Sequence, residues 1–378
     1  MPLYLNDEQV MLRDTARDFV AEAAPVTHLR ALRDAKDPAG FSRDLWKQFA
    51  EMGFTGILIG EDDGGLGLGH VEAGVVLEEI GRNLSPSPFL ATAVAAVEAL
   101  KGTAHAARWF PGILSGETVA ALAIDDGAKH RDRVAMKAER AGNGFRLTGA
   151  KQFVTHGHVA DLIVVAARTA GTDDEAEGIT LFAVQPDAAG LTVTPERLAD
   201  SSIAARMAFD GVEVDADAVI GEVDAGSVPL GRLLRAGRAG SAAELLGVGG
   251  GAMDRTIGYL KERKQFGQLI GSFQALQHRA AHLYSEMEVA RAAVLKAQQL
   301  LDAGDAGDAG ADQATSVAKA MSGLATGLAV QEGVQMHGGI GMTDEYDIGF
   351  FMKRHRVLAE MFGDAGFHAD LLARQDGY

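Results

Sequence analysis

Residues 359–368, AEMFGDAGFH, carry two carboxylates, Glu360 and Asp364, four apart around a glycine. A carboxylate held against a weak C–H acid can act as a general base. The same Asp364, standing before AGFHADLLAR, also has the place of a helix N-cap. A third acid, Glu244, interrupts the apolar run AAELLGVGGG, where a carboxylate must be paired or functional. Basic side chains cluster as well. Arg232, Arg235 and Arg238 recur every three residues and share one side of a helix, an arrangement for a bound anion or for pairing with Glu222 and Asp224. Arg263 in KERKQFG offers forked donors to a pyrophosphate, or one end of a surface ion pair. The glycines of HGGIG (337–341) let the backbone approach a phosphate or an adenine, or else cap a helix. Lys129, His130, Arg131 and Arg133 form a basic run that suits a polyanion or a solvated loop. With no cysteine in the chain, disulfides, thiol nucleophiles and thiolate metal sites are excluded.

These groups must be positioned by a chain of 378 residues, 47% of them apolar, with a net charge of −17. That length suits two or three modules around an extended core. The charge argues against general nucleic-acid binding, so any anion site must rely on a local basic patch. No apolar run is long enough to cross a bilayer, and MPLYLNDEQV lacks the basic and apolar regions of a secretion signal, so the expected location is cytoplasmic. Three textures follow one another. Residues 1–118 read as helical, with Val10, Leu12, Ala16, Phe19 and Val20 at helical spacing and Asp7 or Asn6 as N-cap. Residues 119–225 read as short β-runs: VAALAI, GFRLTGAKQFVT, LIVVAART, GITLFAV and MAFDGVEV. Residues 226–378 read as helical again. There Leu283, Met287, Ala290, Val294, Ala297 and Leu301 mark the seam of a packed bundle. DAGDAGDAGADQ (302–313) reads as an exposed connector, and its aspartates do not match a calcium loop. Helices, then strands, then helices give an α+β protein with segregated layers, and there is no dinucleotide fingerprint or P-loop.

Two stretches, YLKERKQFGQLIGSFQALQHRAA (259–281) and QEGVQMHGGIGMTDEYDIGFFMKRHR (331–356), together with the glycine-rich GEDDGGLGLG, resemble the acyl-CoA dehydrogenase family over nearly the whole chain. The resemblance implies an N-terminal helical domain, a central β-barrel-like domain and a C-terminal four-helix bundle. It also implies FAD. Arg263, Gln265, Phe266 and Gln274, with Gln335, Gly338 and Gly339 of the same or a neighbouring subunit, would line its adenosine-diphosphate half. KQFVTHGH (151–158) stands where the family has K-x-W-I-T-N-G, so Phe153 and Thr155 take the places beside the flavin ring. Phe keeps the apolar face but not the indole N–H. The family's T-E-P-x-A-G-S-D loop is replaced by AIDDGAKHRDR (123–133), which leaves Ile124 a backbone contact to the flavin and removes the usual serine contact to the substrate.

The family reaction removes the α-proton of an acyl thioester while the β-hydrogen leaves as hydride to the flavin. Its usual base lies in a Y-E-G-T-like segment, where this chain has Phe362 and Gly363. An alternative base lies just before an Arg that matches Arg238, and there the chain has Gly237. The backbone of Phe362 can still hold the thioester carbonyl, and Arg238 falls among the expected substrate residues. Asp364 and, further along the helix, Glu244 are the substitute bases. Glu360 projects away if its segment is helical. Three readings follow. The chain desaturates acyl-CoA itself, passing electrons to an electron-transferring flavoprotein. It is a non-catalytic subunit of a heteromeric dehydrogenase. Or it is a flavin oxidase or monooxygenase on the same fold. The implied assembly is a homotetramer or an α2β2 heterotetramer.

Overall fold

A computed structural model describes residues 2–304 and 307–378. The helices, in chain order, are α1 (Asp7–Ala23), α2 (Val26–Asp34), α3 (Arg43–Glu51), α4 (His70–Asn83), α5 (Val97–Leu100), α6 (Ala104–Leu114), α7 (Ser227–Glu262), α8 (Gln274–Ala303), α9 (Gly307–His337), α10 (Ile348–Glu360) and α11 (Ala365–Gln375). The strands are β1 (Ala120–Ala123), β2 (Lys137–Ala141), β3 (Gly144–Thr155), β4 (Leu162–Arg168), β5 (Ile179–Val184), β6 (Leu191–Arg197), β7 (Ile203–Val214), β8 (Val219–Ile220), β9 (Lys264–Gln265) and β10 (Gln268–Leu269). The helix–strand–helix order is therefore the expected one. Asn6, not Asp7, caps α1: its side chain accepts from the Gln9 N–H while the Gln9 side chain accepts from the Asn6 N–H. Asp7 sits in the first turn, where its charge opposes the helix dipole's positive end.

The chain forms two compact units. One comprises residues 1–31, 70–85 and 238–378; the other comprises residues 32–69 and 86–237. The first is helical, around a core of Leu84, Leu245, Val248, Ala252, Val330, Phe350, Phe351 and Leu358. In α8 the expected seam is buried at Leu283, Met287, Ala290, Val294 and Ala297, while Leu301 is half-buried. Helices α4 and α7 approach closely through glycines. A Cβ on Gly247 would stand 1.9 Å from the Glu78 carbonyl oxygen, and one on Gly81 would stand 2.1 Å from the Glu244 carbonyl oxygen. The 302–313 segment departs from expectation. Asp302 still belongs to α8, and its carboxylate accepts from the His70 and Val71 N–H groups; Gly304 ends α8 in the left-handed region; and helix resumes at Gly307. Asp305 and Ala306 lie outside the described residues. The alanines of the repeat favour helix enough to offset its glycines once α9 packs along α8.

The second unit is built on a sheet of order β6-β7-β3-β2-β4-β5-β8, with β1 parallel to β4. Its core includes Phe145, Leu147, Val154, Val165, Phe182, Met207 and Phe209. β2 and β6 escape the apolar pattern because they are short, charged and largely exposed; β6 is an edge strand and tolerates Pro195 there. Trp46, Phe49, Phe54 and Phe89 form an aromatic cluster beside the sheet, and Thr92 ties its helix to β1 by bonds of 3.0 and 3.1 Å with Ala120.

The glycine packing makes a contrast testable by denaturant unfolding. Gly247→Ala should lower the unfolding free energy by roughly 1–3 kcal/mol through overpacking. Gly258→Ala, on the same helix but with nothing within 4 Å of its Cβ, should raise it by up to about 1 kcal/mol.

Candidate active site

In the helical unit the short segment between α10 and α11 carries the residues that the sequence singled out. α10 ends at Glu360, and Phe362 follows with φ 57°, its side chain buried. Gly363 has φ 102°, and a Cβ there would lie 2.4 Å from the Phe367 ring, so only glycine fits. Asp364 is the N-cap of α11: its Oδ1 accepts from the Phe367 N–H at 2.8 Å. Under this turn lies Lys319 of α9, fully buried. Its Nζ donates to the carbonyl oxygens of Ala359 and Gly363, both at 3.0 Å. Burial pulls the ammonium down to about 7, against the opposing pull of Asp364 and Glu360.

Glu244, on α7, is also buried, and it is paired. Arg354 of α10 donates to its Oε1 through Nε at 3.0 Å and Nη2 at 2.5 Å. The pair explains how a carboxylate sits in AAELLGVGGG: its charge is met by a guanidinium from the KRHR segment. Arg238, buried at 3% exposure, has Nη1 at 3.7 Å from Asp312 and its guanidinium 6.0 Å from the Phe367 ring. Asp312 is the last aspartate of the segment first read as a loop. Nearer the N-terminus of the chain, Glu79 is held between Arg17 at 3.2 Å and Arg82 at 3.6 Å; burial, the larger influence, raises its pKa above the ordinary range for Glu.

Elsewhere in that unit, β9 and β10 form a hairpin after α7. Arg263, Gln265 and Phe266 are exposed on it, Phe266 at 89% and with φ 52°. Phe266 meets Phe273 edge-on, next to Gln274 at the start of α8. α9 ends at His337, which is stacked between Tyr259 and Tyr346 at 4.5 and 4.6 Å. Gly338 follows with φ 64°, the helix stop that the sequence allowed, and Cβ atoms on Gly338 and Gly339 would meet nothing within 4 Å. Gln335 is exposed on the last turn of α9. An exposed guanidinium, an exposed aromatic on a left-handed backbone and two uncovered glycines suit an anionic, partly aromatic group such as an adenosine diphosphate.

In the β unit the KQFVTHGH stretch is not regular strand. The register of β3 against β7 shifts between Lys151 and Val154, and Phe153 within this bulge has φ 56°. Such a bulge re-aims a side chain out of the pleat. Phe153 and Thr155 are half-buried, and His156, at φ 58°, meets Phe41 edge-on at 5.4 Å. Lys151 is fully buried, bonded to Asp126 Oδ1 at 2.7 Å and to the Ile124 carbonyl oxygen at 3.2 Å. The loop that departs from the family pattern is thus fastened to β3. Asp125 meets His130 Nδ1 at 2.7 Å, so His130 turns inward rather than joining the basic rim. Lys129, Arg131 and Arg133 remain around a recess of about 390 Å3 that Asp125, Asp126 and Asp173 also line. Arg168 directs its guanidinium to the carbonyl oxygens of Val134, Ala170, Asp173, Glu175 and Glu177, and so folds the neighbouring loop. On α7, Arg232 donates to the Lys101 carbonyl oxygen at 3.0 Å and Arg235 is buried.

Lys319, Arg354, Asp312, Lys151 and Asp126 were not singled out by sequence. Lys319 had one available signal, a lone cation among small residues in SVAKAMSG; the others look like ordinary surface charges.

Three family models cover the chain: acyl-CoA dehydrogenase N-terminal domain over 6–117, middle domain over 125–212 and C-terminal domain over 227–376. The acyl-CoA dehydrogenase fadE12 of Mycobacterium tuberculosis is 30% identical, over 93% of this chain and 91% of that protein. Among solved structures, a chain of the ChsE4-ChsE5 complex from M. tuberculosis matches with a TM-score of 0.88 and 26% identity, over 99% of this chain and 98% of that one. A chain from a structure titled for the electron transferring flavoprotein of Acidaminococcus fermentans matches with a TM-score of 0.89 and 26% identity, over the whole of both chains.

Two outcomes follow from the buried charges. Arg354→Ala strands Glu244 and should cost about 3–5 kcal/mol in denaturant unfolding. For Lys319, the folded-state value of about 7 lies below the unfolded 10.5, so the unfolded chain binds the extra proton between them. Stability therefore rises with pH across that window. Measured against Lys319→Met, wild-type stability should climb between about pH 7 and 10 and run parallel below about pH 6.

Proposed function

Because the chain belongs to the acyl-CoA dehydrogenase family, a family of FAD-dependent oxidoreductases, we propose that it is the base-less subunit of a heteromeric acyl-CoA dehydrogenase. In this reading the assembly desaturates an acyl-CoA thioester between its α and β carbons. A subunit of another kind brings the carboxylate that takes the α-proton, and an electron-transferring flavoprotein accepts the electrons. One observation carries the proposal: both substitute bases that the sequence offered, Glu244 and Asp364, already have a structural task. Phe362 and Gly237 occupy the usual positions, Glu244 is paired with Arg354, and Asp364 caps α11. The similarity to a chain of a two-protein complex and to one from a structure titled for an electron-transferring flavoprotein supports the choice of partners.

FAD, when bound, supplies the acceptor for the β-hydrogen as hydride. Arg263, Gln265, Phe266 and Gln274, with Gln335, Gly338 and Gly339, would hold its adenosine-diphosphate half, here or in a neighbouring subunit. Phe153, Thr155 and the Ile124 backbone would meet the ring. The β3 bulge turns Phe153 out of the sheet, and Lys151 holds Ile124 by its carbonyl. Phe362 keeps a role that needs no particular side chain. Its N–H enters no backbone hydrogen bond among the described residues and can donate to the thioester carbonyl, where enolate charge develops. Arg238 stands among the substrate-facing residues of this reading.

One observation favours a second reading, in which Asp364 is the base: it lies two residues beyond the usual position, in the same turn. Anaerobic titration of the purified flavoprotein with straight, branched and ring-bearing acyl-CoAs decides between them. The visible flavin band should stay unbleached for the chain alone, and should bleach when the chain is co-expressed with a family member that carries a glutamate at a usual base position. Bleaching of the chain alone, abolished in Asp364→Asn, would instead make Asp364 the base; asparagine keeps the N-cap, so folding would not confuse the result.

A further inference from the structure

The turn between α10 and α11 rests on a buried cation that no part of the proposed reaction has used. Lys319 has 1% of its surface exposed. Burying an ammonium costs several kcal/mol unless its protons are taken up, and here two carbonyl oxygens take them. The two carbonyls bracket the turn: Ala359 is in the last turn of α10, and Gly363 stands immediately before the N-cap of α11. Between them are Phe362 and Gly363, both in the left-handed region. A left-handed non-glycine residue costs about 1–3 kcal/mol and persists only where its surroundings over-determine it. Gly363 N–H to the Glu360 carbonyl at 3.3 Å is long, and the Asp364 cap fixes only the far side of the turn. The two hydrogen bonds from Lys319 therefore span the strained Phe362.

We propose that Lys319 is a positioning residue: by pinning the carbonyl oxygens of Ala359 and Gly363, it fixes the Phe362 N–H as donor to the thioester carbonyl of a bound acyl-CoA. This rests on the acyl-thioester reading of the site and assigns within it a residue that does not touch substrate. The charged groups facing Lys319 come from each packed helix: Glu360 and His355 of α10, Asp364 at the start of α11 and Arg238 of α7. The two carboxylates favour its ammonium form, and Arg238 and burial oppose it.

The test uses the FAD-loaded protein and a trans-2-enoyl-CoA, which needs no base and whose conjugated thioester absorbs at longer wavelength when its carbonyl oxygen accepts a hydrogen bond. Wild-type protein should red-shift the bound enoyl band. Lys319→Met should lose most of that shift and bind the enoyl-CoA on the order of 10-fold more weakly, the weight of one charge-assisted contact, while free coenzyme A binds both proteins equally. A full red shift in Lys319→Met, or equal weakening for enoyl-CoA and coenzyme A, overturns the positioning role. If Lys319→Met does not fold, amide exchange over 359–364 in unaltered protein replaces it. Opening of the turn hydrates Lys319 and returns it toward 10.5, so protection, corrected for intrinsic rates, should rise with pH above about 7, and constant protection from pH 6 to about 8.5 overturns the proposal. If wild-type protein binds coenzyme A but leaves the enoyl band unshifted, the acyl-thioester reading fails instead, and the proposal with it.

Discussion

A charge inside an apolar interior must find an opposite charge or a full set of hydrogen bonds, and that constraint organises the helical unit. Glu79 lies between Arg17 and Arg82, Glu244 takes Arg354, Arg238 takes Asp312, and Lys319 spends its protons on two carbonyl oxygens. Most of these contacts cross from helix to helix, from α1 to α4, from α7 to α10 and α9, and from α9 to the end of α10, so they also set which faces of these helices meet. The close passage of α4 over α7 at Gly81 and Gly247 brings backbone against backbone beside Glu244. Moving that carboxylate toward a substrate would break its pair with Arg354. The same pairing that stabilises the unit therefore makes its buried acid costly to recruit for chemistry.

The strand–helix texture of the chain was legible because it depends on local pattern. The α8 seam shows at Leu283, Met287, Ala290 and Val294 because one face is buried along its length. The KQFG motif and residues 338–340 of HGGIG lie exposed after α7 and at the end of α9. The 302–313 segment misled because tertiary packing along α8 outweighs a few glycines. β2 and β6 misled because an exposed strand has no apolar side to display. The ion pairs were illegible for a different reason. Glu244 and Arg354 stand 110 residues apart, and Arg238 and Asp312 are separated in the same way, so no window of sequence contains both partners. Asp364 was legible as both acid and cap, and the Phe367 N–H at 2.8 Å shows that its carboxylate forms the cap.

Backbone strain marks the same places from another direction. Phe153, His156, Phe266 and Phe362 all have φ between 52° and 58°, where aromatic residues are rarely found. At about 1–3 kcal/mol each, these conformations need support, and the support can be named for two of them. The β3 bulge sets Phe153, and Lys319 spans Phe362. Phe266 sits on a two-stranded hairpin with its side chain almost wholly exposed. An aromatic ring presented in this way suits burial against a ligand or another subunit, the place that the resemblance gives it.

In the proposed base-less subunit, the turn at Phe362 would remain built without a carboxylate at that position. Its shape depends on Gly363, which no Cβ would permit, on the Asp364 cap and on the two carbonyls held by Lys319. None of these involves the side chain at 362. A glutamate there and a phenylalanine there would meet the same backbone constraints, and the phenylalanine avoids burying a carboxylate beside a turn already crowded by Asp364 and Glu360. On the proposed reading, loss of the base would remove one proton transfer while sparing the N–H proposed to stabilise developing enolate charge. A subunit with the donor but without the base is most useful where another subunit carries the base, and that division lets each keep the residues its own packing requires.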